Sequence, residues 1–155
     1  MEATRKIRQA KPEDASSLKN CMESAYATYQ QRMNGERLPP MDVDYLSEIK
    51  NYPTWVVDQD GEIAGGLIMV FENNLASIAN IAVDPNFQGQ GIGGELMKFA
   101  ESKAREKQFL ELKLATHVLL EENISLYQHL GWVETGRDEA KVFMKKSLNS
   151  SMFRG

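Results

Sequence analysis

Apolar residues along this chain recur with two periods, and the alternation between them predicts its elements. Lys6 to Gln9 has the length and alternation of a short strand. Behind Pro12, Glu13 and Asp14, apolar Ala15, Leu18, Met22, Ala25, Tyr26 and Tyr29 return every three or four residues. That spacing predicts one long amphipathic helix with proline and acids in its first turn. Asn34 to Pro40 is turn-rich, and Tyr45, Leu46 and Ile49 predict a shorter second helix over Met41 to Ile49. Thr54 to Val57 and Ile63 to Phe71 are β-rich runs joined at Asp60-Gly61, a pair suited to a tight hairpin. Asn73-Asn74 makes a second turn into a strand over Leu75 to Asp84, which Pro85 ends because proline cannot donate to a ladder. Ile92, Leu96, Ala100 and Ala104 form one stripe of a helix over Gly91 to Lys107. Leu110, Leu112 and Leu114 alternate with Glu111 and Lys113, which predicts a strand. A helix over Glu121 to Leu130 stops at Gly131, where a C-terminal cap needs a left-handed backbone. Trp132 to Arg137 and Lys141 to Lys145 predict a closing pair of strands. The order is β α α β β β α β α β β: an α/β (α+β) chain with one domain over 1–147 and a loose tail over 148–155.

Composition narrows the class without changing that picture. The length, 155 residues, suits one domain with one core, and 42% hydrophobic with 26% charged residues is ordinary for a folded protein. The net charge of -4 argues against a broad grip on nucleic acid or an anionic membrane, so neither is expected as a partner. Cys21 is the single cysteine and falls on the apolar stripe of the first helix, as a buried reduced thiol would. Cys21, His117 and His129 lack metal-ligand spacing, and no metal is expected. The start lacks a signal peptide's apolar segment, and the longest apolar run, Ile63 to Phe71, falls far short of the roughly 18 residues that span a bilayer. The expected location is the cytoplasm.

Chemistry concentrates where the strand ending at Asp84 enters the helix beginning near Gly91. The connecting residues Gln88, Gly89, Gln90, Gly91, Ile92, Gly93 and Gly94 hold four glycines. Glycines leave backbone N–H groups uncovered, and a helix start adds its positive dipole end, so phosphate or pyrophosphate is the natural occupant. Gly89, Gly91 and Gly94 also satisfy G-x-G-x-x-G, with Glu111 about twenty residues on. A dinucleotide-binding unit is nonetheless disfavoured, because that fingerprint opens a parallel sheet whereas a meander precedes this loop.

The chain resembles the GCN5-related N-acetyltransferase (GNAT) superfamily over about residues 5–146. Gln88, Gly91 and Gly93 match its pyrophosphate loop, Q/R-x-x-G-x-G/A. The segment Asn123-Ile124-Ser125-Leu126-Tyr127-Gln128-His129-Leu130-Gly131-Trp132 is similar to its second signature, an Asn followed by Leu-Tyr and a Leu-Gly-aromatic helix end. The two motifs together are more specific than either alone. The resemblance implies a mixed, mostly antiparallel central sheet with helices on both faces, and an acetyl-CoA-dependent N-acetyltransferase acting by direct transfer in a ternary complex. By the same resemblance the backbone of Ile81, Ala82 and Val83 holds the pantetheine arm, and that of Gln88 to Gly94 the pyrophosphate. Asn123 contacts the cofactor arm, Tyr127 is the general acid near its sulfur, and a homodimer is left open.

Amine attack on a thioester asks for an oxyanion donor, an acid and a base. By the resemblance, a backbone N–H near Ile81 or Ala82, where the family's strand usually bulges, suits the first. Tyr127, with an ordinary pKa of about 10, is protonated at neutral pH and suits the second; a packed aromatic is its plain alternative. Helical spacing puts Asn123 and Tyr127 on one face. For the base, an alkylammonium must lose a proton at a cost of about 4.6 kcal/mol at pH 7. Many relatives carry a Glu on the strand before the loop, but Ser77, Ile78, Ala79 and Asn80 offer no carboxylate. Asn80 is left to orient water or substrate, and His117 is the candidate base, with a capping role as its alternative. The resemblance also implies that the first two helices and their loop wall the acceptor side, where Tyr26, Tyr29, Glu36, Asp42, Asp44 and Tyr45 stand. A small-molecule amine is the expected acceptor and a protein amine the other. A non-catalytic acyl-CoA-binding sensor is the reading from a different class, kept by the missing strand carboxylate.

Overall fold

The computed structural model describes residues 4–148. In chain order these form β1 (Arg5–Gln9), α1 (Ala15–Ala27), α2 (Tyr45–Asn51), β2 (Thr54–Gln59), β3 (Glu62–Glu72), β4 (Leu75–Val83), α3 (Ile92–Glu106), β5 (Glu111–His117), α4 (Glu121–His129), β6 (Val133–Arg137) and β7 (Lys141–Ser147). Short 3-10 turns cover Pro12–Asp14, Gln30–Met33, Pro39–Asp42 and Pro85–Phe87. The seven strands among the described residues share one sheet in the order β1-β2-β3-β4-β5-β7-β6. β4 and β5 run parallel with Ser77 opposite Lys113, while β1–β2, β2–β3, β5–β7 and β6–β7 are antiparallel. This is the expected mixed, mostly antiparallel architecture in the expected element order. Two compact units are distinguishable, Met1–Met69 with Asn80–Lys98 and Val70–Ala79 with Phe99–Gly155, and their boundaries fall inside β3, β4 and α3.

In the first unit the hairpin between β2 and β3 turns at Asp60 (φ 53) and Gly61 (φ 90), two left-handed residues as its sequence demands. Gly65 and Gly66 are consecutive in β3, so they face opposite sides of the sheet. A Cβ at Gly65 would meet Leu96 and Ile92 of α3 at 3.3 and 3.4 Å, and one at Gly66 would collide with Leu18 of α1. Helices therefore seat on both faces of β3, each against bare backbone. Leu18, Met22, Ala25, Tyr45, Val56, Ile68 and Ala82 close this core.

The first helix is shorter than its apolar stripe predicts. The carboxylate of Asp14 accepts the Lys11 N–H at 2.7 Å and pairs with Arg8, which winds Pro12–Asp14 as a separate 3-10 turn. At the other end Thr28 Oγ1 donates to the Ala25 carbonyl at 2.9 Å, and Tyr29 lies beyond the helix. The second helix begins at Tyr45 instead of Met41, because Asp44 is extended and its side chain caps the Ser47 N–H at 3.1 Å.

In the second unit Leu112 and Leu114 of β5 and Val142 and Met144 of β7 alternate inward, with Leu114 opposite Met144. Glu101 of α3, though 8% exposed, is matched by Lys146 at 3.0 Å and Arg105 at 3.7 Å. The tail expected from 148 does not begin there: Leu148 is buried and its N–H donates to the Leu110 carbonyl at 2.8 Å. Residues 149–155 lie outside the described residues. No helix of the described residues is long and apolar enough to cross a membrane.

Candidate active site

The glycine loop lies wholly in the first unit. β4 ends at Val83, and the Asp84 N–H then donates to the Ala64 carbonyl at 2.8 Å. The Asp84 carboxylate takes the Asn86 N–H at 2.8 Å and so folds Pro85–Phe87 into a 3-10 turn. Gly89 and Gly91 follow with φ of +84° and +81°, and the first α-helical bond of α3 runs from the Glu95 N–H to the Gly91 carbonyl. Among the described residues the N–H groups of Gly91, Ile92, Gly93 and Gly94 donate to no protein acceptor. Ile92 is buried and anchors the turn, while a Cβ added at Gly89, Gly91 or Gly94 would project into open space. Uncovered amides, a helix start and clear space above them are what a pyrophosphate group needs, so these residues fit coenzyme A.

Upstream, Asn80, Ile81 and Val83 are half-buried and Ala82 is buried. The Tyr26 hydroxyl reaches the Ile81 carbonyl at 3.4 Å. An expected acceptor-side residue thus touches the strand expected to carry the cofactor arm. Tyr29 stands edge-on to Tyr26 at 6.1 Å, with the Arg32 guanidinium 5.5 Å from its ring centroid. Tyr45 requires a correction. It is only 2% exposed, its hydroxyl donates to the Pro40 carbonyl, and burial pushes its pKa well above the ordinary tyrosine value. It packs the α1–α2 corner and offers no face to an acceptor. Nearby, Arg37 spans Glu23 at 3.2 Å and Asp42 at 2.8 Å, so two of the acids in this region already share an ion pair. Cys21 is buried as expected, and that burial pushes its thiol up to about 12.

The second unit carries α4. Asn123 and Tyr127 are both half-buried, with buried Ile124 between them and exposed Glu122, Leu126 and Gln128 on the other side, so they share a face. Gly131, with φ +100°, caps the helix, and the Trp132 N–H returns to the Tyr127 carbonyl at 2.9 Å. The Trp132 ring then lies against Tyr127, centroids 6.1 Å apart and tilted by 55°. Backbone and ring together brace the tyrosine.

His117 sits at the end of β5, but its Nδ1 accepts the Leu119 N–H at 3.1 Å. A neutral imidazole so engaged carries its proton on Nε2 and has no free lone pair, so the geometry favours the capping role over that of a base. His129 is exposed, as expected. Sequence reasoning passed over Arg5, which grips the glycine loop from 85 residues away at Gln90. No local pattern marks such a contact.

Residues 19–132 match the Acetyltransferase (GNAT) family. The uncharacterized N-acetyltransferase YjgM of Escherichia coli K12 is 29% identical over 121 residues, 69% of this chain and 72% of that protein. Among solved structures, the PaiA N-acetyltransferase of Thermoplasma acidophilum in complex with coenzyme A is similar with a TM-score of 0.80 and 19% identity, covering 93% of this chain and 99% of that one. The ribosomal-protein-S18-alanine N-acetyltransferase of Escherichia coli gives a TM-score of 0.72 and 20% identity, with 94% of each chain covered. At such identities the two structures speak for the fold.

Proposed function

The chain belongs to the acetyltransferase (GNAT) family, whose acyl donor is acetyl-CoA, and from that premise we propose that it passes the acetyl group directly to a primary amine of a small molecule, both substrates being held at once. The observation that carries the reading is the run of four unpaired N–H groups from Gly91 to Gly94 at the start of α3. On a protein of net charge -4, such a local concentration of backbone dipoles offers a polyanion a favourable seat.

Acetyl-CoA supplies a thioester carbonyl open to attack and a sulfur leaving group. The amides from Gln88 to Gly94 hold the pyrophosphate, and the backbone of Ile81, Ala82 and Val83 aligns the pantetheine arm as a strand would. An N–H near Ile81 or Ala82 stabilises negative charge growing on the carbonyl oxygen. By the family resemblance Asn123 would orient the arm, and Tyr127, its backbone carbonyl and ring braced by Gly131 and Trp132, would give its hydroxyl proton to the departing sulfur and regain one from the amine nitrogen, which sheds it as the amide forms. Tyr26 is the acceptor-side residue best supported, since its hydroxyl already meets the strand at Ile81. Asn80 is left to orient water or the amine. With the lone pair of His117 Nδ1 committed to Leu119, the amine enters as its free base. A protein amine is the competing acceptor.

Two measurements test this reading. Coenzyme A or acetyl-CoA at about 100 times its dissociation constant should add about 2.7 kcal/mol and raise the melting temperature by roughly 5 to 11 °C, while NADH should not. A shift with NADH alone would return the loop to the dinucleotide reading. Thiol release from acetyl-CoA over a panel of amines then reports turnover. Tyr127→Phe should lose most of that rate and keep its affinity for coenzyme A, and an unchanged rate would remove Tyr127 as the acid.

A further inference from the structure

Arg5, on edge strand β1, reaches out of its own ladder to the glycine loop. Its Nη1 donates to Gln90 Oε1 at 3.3 Å, and its Nη2 donates to the Gln90 carbonyl at 3.3 Å and to Glu95 Oε1 at 2.7 Å. Gln59 Nε2, on the neighbouring strand β2, donates to the same Gln90 Oε1 at 3.3 Å. One guanidinium therefore joins the last residue before Gly91 to the first turn of α3. In a trans peptide the carbonyl and the following N–H point in opposite directions. Holding the Gln90 carbonyl toward Arg5 thus turns the Gly91 N–H away from it, and that N–H is the first of the four unpaired donors. The glycines on either side, at φ +84° and +81°, are in a region where glycine pays little for alternative conformations, so this peptide plane needs an external hold. Arg5 also pairs the carboxylate of Glu95, 45% exposed and one residue beyond Gly94, which would otherwise repel a bound anion.

We propose that Arg5 is a positioning residue for the acyl donor: by holding the Gln90 carbonyl and Glu95 it sets the Gly91 amide for the pyrophosphate and screens the Glu95 carboxylate. Its own charge is already matched by Glu95, so it acts through the loop. The proposal rests on the reading of Gln88 to Gly94 as the pyrophosphate cradle. Its test separates the two.

Calorimetric titration of wild type, Arg5→Ala and Arg5→Lys with coenzyme A and with S-acetyl-pantetheine, which lacks the pyrophosphate, reads the effect directly. Both variants should bind coenzyme A about tenfold more weakly, the loss expected for a charge-assisted hydrogen bond, and S-acetyl-pantetheine unchanged. In turnover the KM for acetyl-CoA should rise with kcat retained. Lysine is not expected to rescue, because one ammonium cannot span Gln90 and Glu95 together. Wild type that favours coenzyme A while Arg5→Ala matches it would overturn the role of Arg5 and leave the cradle standing. Wild type indifferent to the pyrophosphate would overturn both. Equal loss of both ligands would mean a general structural effect, and full rescue by Arg5→Lys would mean that charge alone suffices; either result refutes positioning.

Discussion

Gly91 allows charge and shape to be separated at the proposed cradle. Its φ is +81° and a Cβ there meets nothing within 4 Å, so a side chain adds backbone strain without a clash. Asn and Asp are the residues that best tolerate a left-handed backbone, and they are nearly the same size. Gly91→Asn and Gly91→Asp should therefore each lose about 1 kcal/mol of stability, some 2 to 4 °C in melting temperature, and melt together. They should part company on coenzyme A. A carboxylate about 5 Å from a pyrophosphate carrying two charges is repelled by about 1.7 kcal/mol even at the dielectric of water, and by more in a partly desolvated site. That corresponds to at least about fifteenfold weaker binding for Asp than for Asn. Calorimetric titration with coenzyme A at low salt reads the ratio, and repeating it at about 0.5 M salt should shrink it, since exposed charges are screened. Equal affinities for two folded variants would place the pyrophosphate elsewhere.

Three further outcomes follow from the surrounding structure. Gly66→Ala drives a Cβ into Leu18 Cδ1 and within 3.2 Å of Met22 Cε inside a closed core. It should cost about 1 to 3 kcal/mol and lower the melting temperature by roughly 2 to 12 °C, and a variant melting at or above wild type would refute the helix seat. The Arg8 guanidinium, 2.8 Å from Asp14, holds that carboxyl below the ordinary range. A depressed carboxyl stabilises the fold above its unfolded pKa of about 3.9 and loses that contribution as pH falls through the folded value. The melting advantage of wild type over Asp14→Asn should thus be full at pH 7 and close below about pH 4, and a gap that persists into stronger acid would disprove the pairing. Burial that pushes Cys21 up to about 12 leaves almost no thiolate at pH 8. Iodoacetamide should label it only after unfolding, and prompt labelling of the native protein would contradict its place in the core.

What the linear sequence disclosed was local. The Asp60-Gly61 turn, the glycines at 89, 91 and 131, the strand alternation of Leu112 and Leu114 and the pairing of Asn123 with Tyr127 each depend on residues within a turn or two of one another. Backbone conformation and helical or strand periodicity are short-range properties, so they survive reading one residue at a time. The helix ends were less legible because side-chain oxygens decided them, Asp44 capping α2 and Thr28 turning back on α1.

The remainder came from contacts between residues far apart in the chain. Gly65 and Gly66 read as weak points in a strand until α3 and α1 are seated against them. Tyr45 is an apolar position of the predicted second helix that also stands among acids, and only the packing of α1 on α2 takes it out of an acceptor's reach. β7 follows β6 in sequence yet lies between it and β5. Arg5 has no pattern around it that points to Gln90. In each case the deciding quantity is which surfaces meet once the chain has closed, and burial, strand order and a hydrogen bond across 85 residues are properties of that closure.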